Sequence, residues 1–546
     1  MPTIMLNKNV FEKLVGKKLP LDKLKDRISM LGTDLEGIEG NTIEVEVFPN
    51  RPDMLSEQGF ARAFSSFIGV KCGLLKYDVC DSGESVVVDK SVKDVRPYTA
   101  CAIVKGLKFD DEMIREVIQI QEKLHVTYGR NRKKVAIGIY PYDKIKSPIS
   151  FKGVPVKDVR FRPLGSDVEM SGKDILLKHP TGKEYGHLLN GMSKYPIFSD
   201  STGKVLSMPP IINSHDLGMV TEKTRDVFIE CSGYDFRILK ICLNIVVSAL
   251  ADMGGKIYSM KLKYPDKTYV TPDLAPSRMK VDRKYISKLL GIDLSEKDME
   301  MYLGRMGFGY SKGQVLVPAY RADILHQVDF AEDIAIAYGY ENVEAKIPKV
   351  ATIAKESSLS IFKRRLGNYL AGVGFIECKS YHLSSDDVQH KKMGLKKGKL
   401  VRLSNSLTED YDALRNALLP GLIKILSENK HNEFPQNLFE IGKVFRFDDS
   451  EDTGVREDLQ LVVASADVNT EYSVMKSLFD QLNSVFGFGL SLKEKDCMCF
   501  VSGRSAQIFK GKELVGGIGE VRPQVLNNWE LDVPVSAIVI DLHRLL

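Results

Sequence analysis

Apolar residues recur along the chain at two spacings, and each spacing predicts a different kind of element. A period of three to four residues, typical of a helix with one buried face, covers 9–14, 21–31, 60–67, 110–124, 235–253, 282–289, 295–306, 328–338, 361–373 and 474–486. Alternation or short apolar runs, typical of strands, cover 3–6, 42–48, 86–88, 100–104, 137–139, 204–207, 315–317, 437–447, 459–466, 506–509, 514–520 and 535–541. The mixture predicts a multidomain α+β protein.

Turn signals and the order of the elements divide the chain into four modules, predicted at 1–85, 86–270, 271–345 and 350–546. Asp53 or Ser56 is expected to cap the helix of the first module, and Gly69 to end it. The third module has two helices followed by a strand and a further helix, an order that resembles a winged-helix arrangement.

Composition agrees with a large folded protein. Of 546 residues, 43% are hydrophobic and 27% are charged, which argues against disorder and against a coiled coil as descriptions of the whole chain. The formal net charge of +5, from 77 basic and 72 acidic residues, excludes a chain that is basic throughout. It still permits local basic patches that bind nucleic acid.

The N-terminus and the cysteines indicate a cytoplasmic protein that does not enter a membrane. Charged residues interrupt the N-terminal segment before an apolar run of signal-peptide length forms, and no run of about 18 apolar residues occurs. The eight cysteines form no CxxC pair, so a zinc site is not expected and the thiols are predicted to be reduced.

A group of acidic residues stands out in the segment PAYRADILHQVDFAED. Asp329, Glu332 and Asp333 share one helix face, and Asp323 lies one short turn upstream. Four carboxylates with no lysine between them would repel one another, and a hard divalent cation, by default Mg²⁺, would remove that cost. The alternative is that these acids complement a helix dipole and stay solvated.

Two further clusters are candidates for binding. Polar residues follow Pro209-Pro210 and suit either a pocket wall or an ordinary loop with helix caps: Asn213, Ser214, His215, Thr221 and Thr224. Adjacent Ser214 and His215 seldom reach the geometry of a catalytic triad. A basic segment suits either phosphate binding or a solvated surface: Arg130, Arg132, Lys133 and Lys134. No Walker A, HExxH or strand-GxGxxG-helix motif is present.

Together these motifs resemble a known family. The runs FPNRPDMLSEQGFARAF (48–64), PAYRADILHQVDFAEDIAIAYGYENV (318–343), LRNALLPGLI (414–423) and NLFEIGKVF (437–445) resemble the β subunit of phenylalanyl-tRNA synthetase, in its archaeal and eukaryotic cytosolic form. They stand in that subunit's order and the resemblance extends over essentially the whole chain.

The resemblance implies a role for each module. Module 86–270 would be an editing domain that hydrolyses tyrosine wrongly attached to tRNA-Phe, with Asn213, Ser214, His215, Thr221 and Thr224 as candidate pocket residues. Arg130, Arg132, Lys133 and Lys134 would contact the tRNA. The winged-helix-like module would hold Mg²⁺ through Asp323, Asp329, Glu332 and Asp333. Module 350–546 would have a class II synthetase fold, an antiparallel sheet without catalytic residues.

The resemblance also implies a partner. An α subunit would carry aminoacylation and would bind ATP and phenylalanine, within an (αβ)₂ heterotetramer. The residues agree with this division, because position 438, two residues before Glu440, is a leucine where an active class II site has an arginine that holds the ATP α-phosphate. Gly516–Gly519 is followed by Glu520, Val521 and Arg522, a poor match to the third class II motif.

Two alternatives to a synthetase subunit stay open at this point. One is a free-standing hydrolase that edits mischarged tRNA. The other is a winged-helix protein that binds nucleic acid, although no strongly basic recognition helix is visible near 282–306.

Overall fold

The computed structural model describes residues 2–350, 354–497 and 499–545. The chain forms two compact units, one that ends at Ile347 and one that begins at Pro348. The first unit contains three of the larger sheets, and the second contains a single large sheet.

The first unit begins with a small α+β layer. Its antiparallel sheet has the order β1-β3-β2. The helix that follows Pro52 is capped by Ser56, whose Oγ accepts from the Gly59 N–H, and Asp53 is paired with Arg51 instead. The elements are Thr3–Asn7 (β1), Lys8–Val15 (α1), Leu21–Met30 (α2), Asp34–Glu39 (β2), Thr42–Glu46 (β3) and Glu57–Phe67 (α3).

A ten-stranded sheet dominates the first unit, and the same region contains a separate two-stranded sheet, β8-β9. The elements are Val79–Val88 (β4), Tyr98–Lys105 (β5), Asp111–Val126 (α4), Val135–Pro141 (β6), Ile149–Pro155 (β7), Arg160–Phe161 (β8), Met170–Ser171 (β9), Gly172–Lys178 (α5), Pro180–Tyr185 (α6), Lys194–Ser199 (β10), Val205–Met208 (β11), Ile212–Asn213 (β12), His215–Gly218 (α7), Val227–Gly233 (β13), Phe236–Asp252 (α8), Lys256–Lys263 (β14) and Thr268–Thr271 (β15).

The strand order of this sheet is β12-β11-β10-β7-β4-β14-β5-β13-β6, with β15 paired to β14. Strand β4 runs parallel to both β14 and β7, and the other pairs are antiparallel. Strand β4 spans position 85 and strand β15 spans position 270, so the module boundaries predicted at these two positions fall inside strands.

The central strands of this sheet are buried on both faces. In β5, Ala100, Ala102 and Val104 pack toward the core that contains α8, whereas Cys101 and Ile103 pack into a second core on the opposite face. A strand covered on both sides has no need of polar residues at alternate positions, and this explains its continuous apolar sequence.

The last part of the first unit is a helical module with a small sheet of order β16-β18-β17. The helices predicted at 282–289, 295–306 and 328–338 and the strand at 315–317 are all present. The elements are Ser277–Lys280 (β16), Arg283–Leu290 (α9), Glu296–Arg305 (α10), Gly309–Ser311 (β17), Gln314–Val317 (β18) and Asp329–Tyr338 (α11).

The second unit has a seven-stranded sheet of order β19-β22-β23-β27-β26-β25-β24, antiparallel except for the pair β19–β22. An apolar core covers each face. The elements are Ser358–Gly372 (α12), Ile376–Glu377 (β19), Leu383–Ser384 (β20), Ala413–Leu414 (β21), Leu419–Glu428 (α13), Gln436–Phe447 (β22), Val455–Ala466 (β23), Tyr472–Phe486 (α14), Leu490–Glu494 (β24), Phe500–Lys510 (β25), Glu513–Val521 (β26), Pro523–Asn528 (α15) and Val535–Asp541 (β27).

The predicted multidomain α+β architecture is confirmed. None of the described helices combines the length and the apolar composition that a membrane crossing requires. All eight cysteines are free thiols, and Cys101, Cys231 and Cys242 are buried.

Two buried carboxyl groups meet where α3 begins. The Asn7 N–H donates to Glu57 Oε1 over 2.6 Å, and the Glu57 N–H donates to Glu116 Oε2 of α4 over 3.3 Å. Burial, together with the neighbouring carboxylate of Glu116, raises the pKa of Glu57 to about 8. Burial raises the pKa of Glu116 to about 7. Both groups therefore take up protons at a higher pH in the folded chain than an exposed glutamate does.

We expect Glu57→Gln to stabilise the chain in alkaline solution. Because the folded-state pKa is raised, stability falls as the pH rises from about 4.5 to about 8, and a neutral amide avoids that loss. At pH 8.5 the gain should be at most about 5 kcal/mol, since the pKa rises by about 3.5 units and each unit corresponds to about 1.4 kcal/mol. Thermal unfolding at pH 5 and pH 8.5 measures it, with exposed Glu39→Gln as the control; equal shifts at both pH values would contradict the prediction.

Candidate functional site

A cavity of about 390 Å³ in the first unit, here called cavity A, opens between α4, the segment 207–213 and strand β13. Its wall is mainly apolar, with Ile137, Ile139 and Ile211 among its members. Three side chains that line it each have a buried polar atom without a hydrogen-bond partner among the described residues: Ser207 Oγ, Arg132 Nε and Glu230 Oε2. Buried polar atoms are usually satisfied, so this cavity has the character of a site for a polar ligand.

Glu230 is the most unusual group in cavity A. It lies within β13, a strand that is otherwise apolar or small, and only 2% of it is exposed. The Tyr140 hydroxyl, between two oxygens, lies 3.1 Å from Glu230 Oε1 and 3.3 Å from Asn213 Oδ1. Burial raises the pKa of Glu230 to about 7. Cavity A therefore holds a carboxyl group that Tyr140 keeps in place and that has one oxygen without a hydrogen-bond partner. Because its pKa is about 7, this group changes between its neutral and ionised forms near neutral pH.

The α4 side of cavity A is tied together by Arg132. Its guanidinium is 12% exposed, pairs with Glu122 over 3.0 Å and donates to the carbonyl oxygens of Pro210 and Ile211. It also lies 4.2 Å from the ring centre of Tyr185. Arg132 was predicted to contact phosphate with its neighbours, but these bonds make it part of the cavity wall.

His125, which also lines cavity A, has both ring nitrogens engaged. The Ile137 N–H donates to Nε2 over 2.8 Å, and Nδ1 lies 3.3 Å from Glu122 Oε1. Burial lowers the pKa of His125. A ring nitrogen that accepts from a backbone N–H is not available as a general base. His125 therefore has a structural role in the wall of cavity A.

Of the polar residues predicted for a pocket, Asn213 lines cavity A and the others do not. Ser214 Oγ accepts from the Leu217 N–H and caps α7. His215 has a buried Nδ1 without a partner among the described residues but lies outside the cavity wall. Thr224 Oγ1 accepts from the Thr221 N–H within a turn. The helix-cap interpretation thus holds for Ser214, and a local turn accounts for Thr221 and Thr224.

The basic segment lies beside a second cavity of about 780 Å³, here called cavity B. Arg130, Lys133 and Lys134 line it, whereas Arg132 points to cavity A. The sequence grouped all four as tRNA contacts, and the structure divides them between two cavities.

Of the four acids predicted to hold Mg²⁺, two share a bond to one arginine and the other two are bonded separately. Arg321 donates to both carboxylate oxygens of Asp323, over 2.8 and 2.7 Å, and to Asp333 Oδ2 over 2.7 Å. Asp329 Oδ2 accepts from the N–H groups of two residues just upstream, and Glu332 Oε1 accepts from a tyrosine hydroxyl. Arg321, which was left out of the prediction, therefore balances the charge of two of the four acids, Asp323 and Asp333.

The conformations of these four carboxylates do not suit one cation site. In residues 2–350, 354–497 and 499–545, three ligand atoms of His, Cys, Asp or Glu approach within 4.8 Å at one place, Asp34, Glu36 and Glu46 in the N-terminal sheet. No three of the predicted ligands do so. Hexacoordinate Mg²⁺ needs convergent oxygens, so the arrangement seen here does not fit it.

The second unit shows the surroundings of the predicted class II motifs. Leu438 is buried in the core, and Glu440 pairs with buried Arg415 over 2.7 Å. Ser380 Oγ donates to the other oxygen of Glu440 over 2.6 Å. The acid of this motif is thus fully engaged inside the protein. Gly516–Gly519 lie on β26 in the middle of the sheet.

Comparison with known proteins places these features in one family. The family model for the tRNA synthetase B5 domain matches residues 279–340, and that for the phenylalanyl-tRNA synthetase beta chain CLM domain matches residues 343–542. The phenylalanine–tRNA ligase beta subunits of Pyrococcus abyssi and Methanococcoides burtonii are each 38% identical to this chain. The first alignment covers 100% of both chains, and the second covers 99% of this chain and 100% of the relative.

The chain belongs to the phenylalanine–tRNA ligase β-subunit family. The predicted resemblance is confirmed, and with it the assignment to an aminoacyl-tRNA synthetase component. A solved N-terminal fragment of the phenylalanyl-tRNA synthetase beta subunit from Pyrococcus horikoshii is 40% identical, with a TM-score of 0.60 over 62% of this chain and 99% of the fragment.

Proposed function

We propose that this β-subunit-family chain works in a phenylalanine–tRNA ligase as the editing subunit, and that cavity A hydrolyses tyrosine from mischarged tRNA. The observation that carries the proposal is the buried carboxyl group of Glu230 in an apolar cavity, with one oxygen unbonded. An apolar wall suits an aromatic ring, and an unbonded carboxyl oxygen suits a phenolic hydroxyl.

Selection of tyrosine over phenylalanine follows from the same group. A tyrosine side chain donates its hydroxyl to Glu230 Oε2, whereas phenylalanine leaves that buried oxygen unbonded. A site built to hydrogen-bond a hydroxyl rejects the analogue that lacks it, because the site's own polar atom stays unpaired. The Tyr140 hydroxyl holds the other oxygen and fixes the direction of the carboxyl group.

The reaction is the addition of water across the ester between the amino acid and the 3′-terminal ribose. The carbonyl carbon gains the water oxygen, the ribose oxygen leaves and takes a proton, and free tyrosine and uncharged tRNA result. Ser207 Oγ and Asn213, both at the cavity wall, are the polar groups available to hold the ester or the water. His125 is excluded as the base by its bonds to the backbone and to Glu122.

Synthesis of the aminoacyl ester is assigned to an α subunit. The second unit supplies Leu438 in place of an arginine that would hold a phosphate, and its Glu440 is bonded to Arg415 and Ser380. These contacts support a structural role for the class II-like sheet. The carboxylates predicted for Mg²⁺ do not converge, so no step here is assigned to that ion.

The test is to assay the chain with and without a coexpressed α subunit. We expect Phe-tRNA formation only from the complex, and hydrolysis of Tyr-tRNA-Phe at a rate at least about 100-fold above that of Phe-tRNA-Phe. Equal hydrolysis of the two esters, or none, would overturn the editing assignment. A stable monomer with full hydrolase activity and no affinity for an α subunit would favour the free-standing hydrolase instead.

A further inference from the structure

Cavity B is strongly cationic. Four basic side chains line it, Arg96, Arg130, Lys133 and Lys134, and one acid does so, Asp235. Asp235 is already engaged, because its Oδ1 accepts from the Arg237 and Ile238 N–H groups in the first turn of α8. With more positive charge than its own residues balance, the cavity suits an anionic ligand.

Arg96 is the buried member of this group. It is only 2% exposed, and it forms no ion pair with a carboxylate of the described residues, although the charge of Glu230 acts on it from a greater distance. Its hydrogen bonds go to neutral oxygens: Ser232 Oγ at 3.1 Å, the Ser232 carbonyl at 2.6 Å and the Arg132 carbonyl at 3.3 Å. Burial lowers the pKa of Arg96 to about 10. The charge of buried Glu230 acts on Arg96 without forming an ion pair, so the cost of burying the guanidinium is only partly compensated, and an anion in the cavity that Arg96 lines would offset the rest.

The loop between the two cavities has an unusual backbone. Three consecutive residues, Arg130, Asn131 and Arg132, have φ values of 48°, 51° and 63°. Such left-handed conformations are unfavourable for residues with side chains and persist only where surrounding bonds enforce them. Here the Arg132 N–H donates to the His125 carbonyl, and the Lys134 N–H to that of Gly129. The turn sends Arg132 to cavity A and its basic neighbours to cavity B.

We propose that cavity B binds a phosphodiester group of the tRNA acceptor end whose esterified ribose occupies cavity A. This inference rests on the proposed editing function. Arg96 and the two lysines supply the charge, and Tyr234, 48% exposed at the rim, offers a ring on which a base can stack. Because one hydrogen-bonded loop forms part of both cavities, a phosphate bound in cavity B would fix where the ester lies in cavity A.

A variant in which two lysines of cavity B are replaced by neutral glutamines tests the phosphate site and leaves the residues of cavity A unchanged. In the full chain with its α subunit, Lys133→Gln/Lys134→Gln should raise KM for Tyr-tRNA hydrolysis by about 10-fold and reduce the slope of log KM against log salt by about 1–2. The value of kcat should stay within about two-fold, since the reacting groups are unchanged. Arg130→Asn, whose side chain tolerates a positive φ, should act in the same direction.

Two controls separate the possible causes. Exposed Lys152→Gln/Lys157→Gln makes the same charge change outside both cavities and should leave KM unchanged. Tyrosyl-adenosine carries the ester but no phosphate, and wild type and the cavity B variant should hydrolyse it equally. An equal loss on both substrates, or an unchanged KM for Tyr-tRNA, would overturn the phosphate site alone. Failure of the wild type on both substrates would overturn the editing function itself.

Inorganic phosphate distinguishes a nucleic-acid site from a free-anion site. We expect phosphate alone to compete with tRNA only at millimolar concentrations, because it lacks the stacking and chain contacts. Tight binding of phosphate to the wild type, lost in the lysine variant while the affinity for tRNA stays constant, would overturn the assignment to tRNA.

Discussion

Glu230→Ala is expected to lower kcat/KM for Tyr-tRNA hydrolysis by about 100-fold, the equivalent of about 2.7 kcal/mol for a lost hydrogen bond to a charged acceptor. Hydrolysis of Phe-tRNA should change by less than about three-fold, because phenylalanine makes no use of that oxygen. The ratio of the two kcat/KM values measures the effect directly. Parallel loss on both esters would contradict the prediction and would assign Glu230 to the reaction itself.

The isosteric variant Glu230→Gln is the matched control for this experiment. It keeps the volume of the buried side chain and an oxygen that can accept from a phenol, so a loss of about 10-fold is expected. The pKa of about 7 adds a second signature. Since the ionised carboxylate is the stronger acceptor, tyrosine selectivity of the wild type should rise as the pH increases from 6 to 8. Glu230→Gln should show no such rise.

Long elements with a clear period were predictable from sequence, because burial of one face or both imposes the pattern. The helix predicted at 235–253 is Phe236–Asp252, and the strand predicted at 535–541 is Val535–Asp541. Strands β7 and β14, both central in the large sheet, were missed. Strand β14 reads KIYSMKLK, in which lysines at exposed positions weaken the strand pattern, although its tertiary neighbours cover the residues between them.

The site was less predictable than the fold because its wall combines distant parts of the chain. The sequence neighbours of Asn213 were predicted to share its pocket, but the Tyr140 hydroxyl, which lies between Asn213 and Glu230, links it instead to a residue of a distant strand. One signal was available: a single glutamate inside the apolar strand sequence VFIECSG is rare unless it is paired or functional. The alternation of side chains along a strand does not show which other strands will lie beside it in the sheet.

The acidic cluster shows a different limit of sequence reasoning. The segments PNRPD and PAYRAD each contain an arginine two residues before an aspartate, and both pairs form the same two-bonded contact. Arg51 donates to Asp53 over 2.9 and 2.8 Å, as Arg321 does to Asp323 over 2.8 and 2.7 Å. The prediction considered the carboxylates alone and left out the guanidinium of Arg321, which lies beside two of them. The two pairs lie close enough to interact electrostatically, because the positive charge of Arg321 acts to lower the pKa of Arg51. The negative charge of Asp333 helps to raise the pKa of Arg321.

Arg321→Met is therefore expected to lower the free energy of unfolding of the full chain by about 3–5 kcal/mol, the usual cost of leaving buried carboxylates without their partner. The side chains of Arg321 and Asp333 are 1% and 7% exposed. Chemical unfolding at pH 7 measures the loss. Arg160→Met breaks the exposed pair with Glu169, at 67% and 66% exposure, and should cost less than about 1 kcal/mol.

A double variant decides whether the loss comes from the unpaired charge or from the missing side chain. Adding Asp333→Asn to Arg321→Met removes one of the two stranded charges, so part of the lost stability should return. A purely steric loss would instead make the two changes additive. If Arg321→Met cost no more than Arg160→Met, the guanidinium would not be what balances these acids, and another counter-charge would have to do so. The expected large difference follows from burial and from the number of partners, because buried Arg321 pairs with two carboxylates and exposed Arg160 pairs with one.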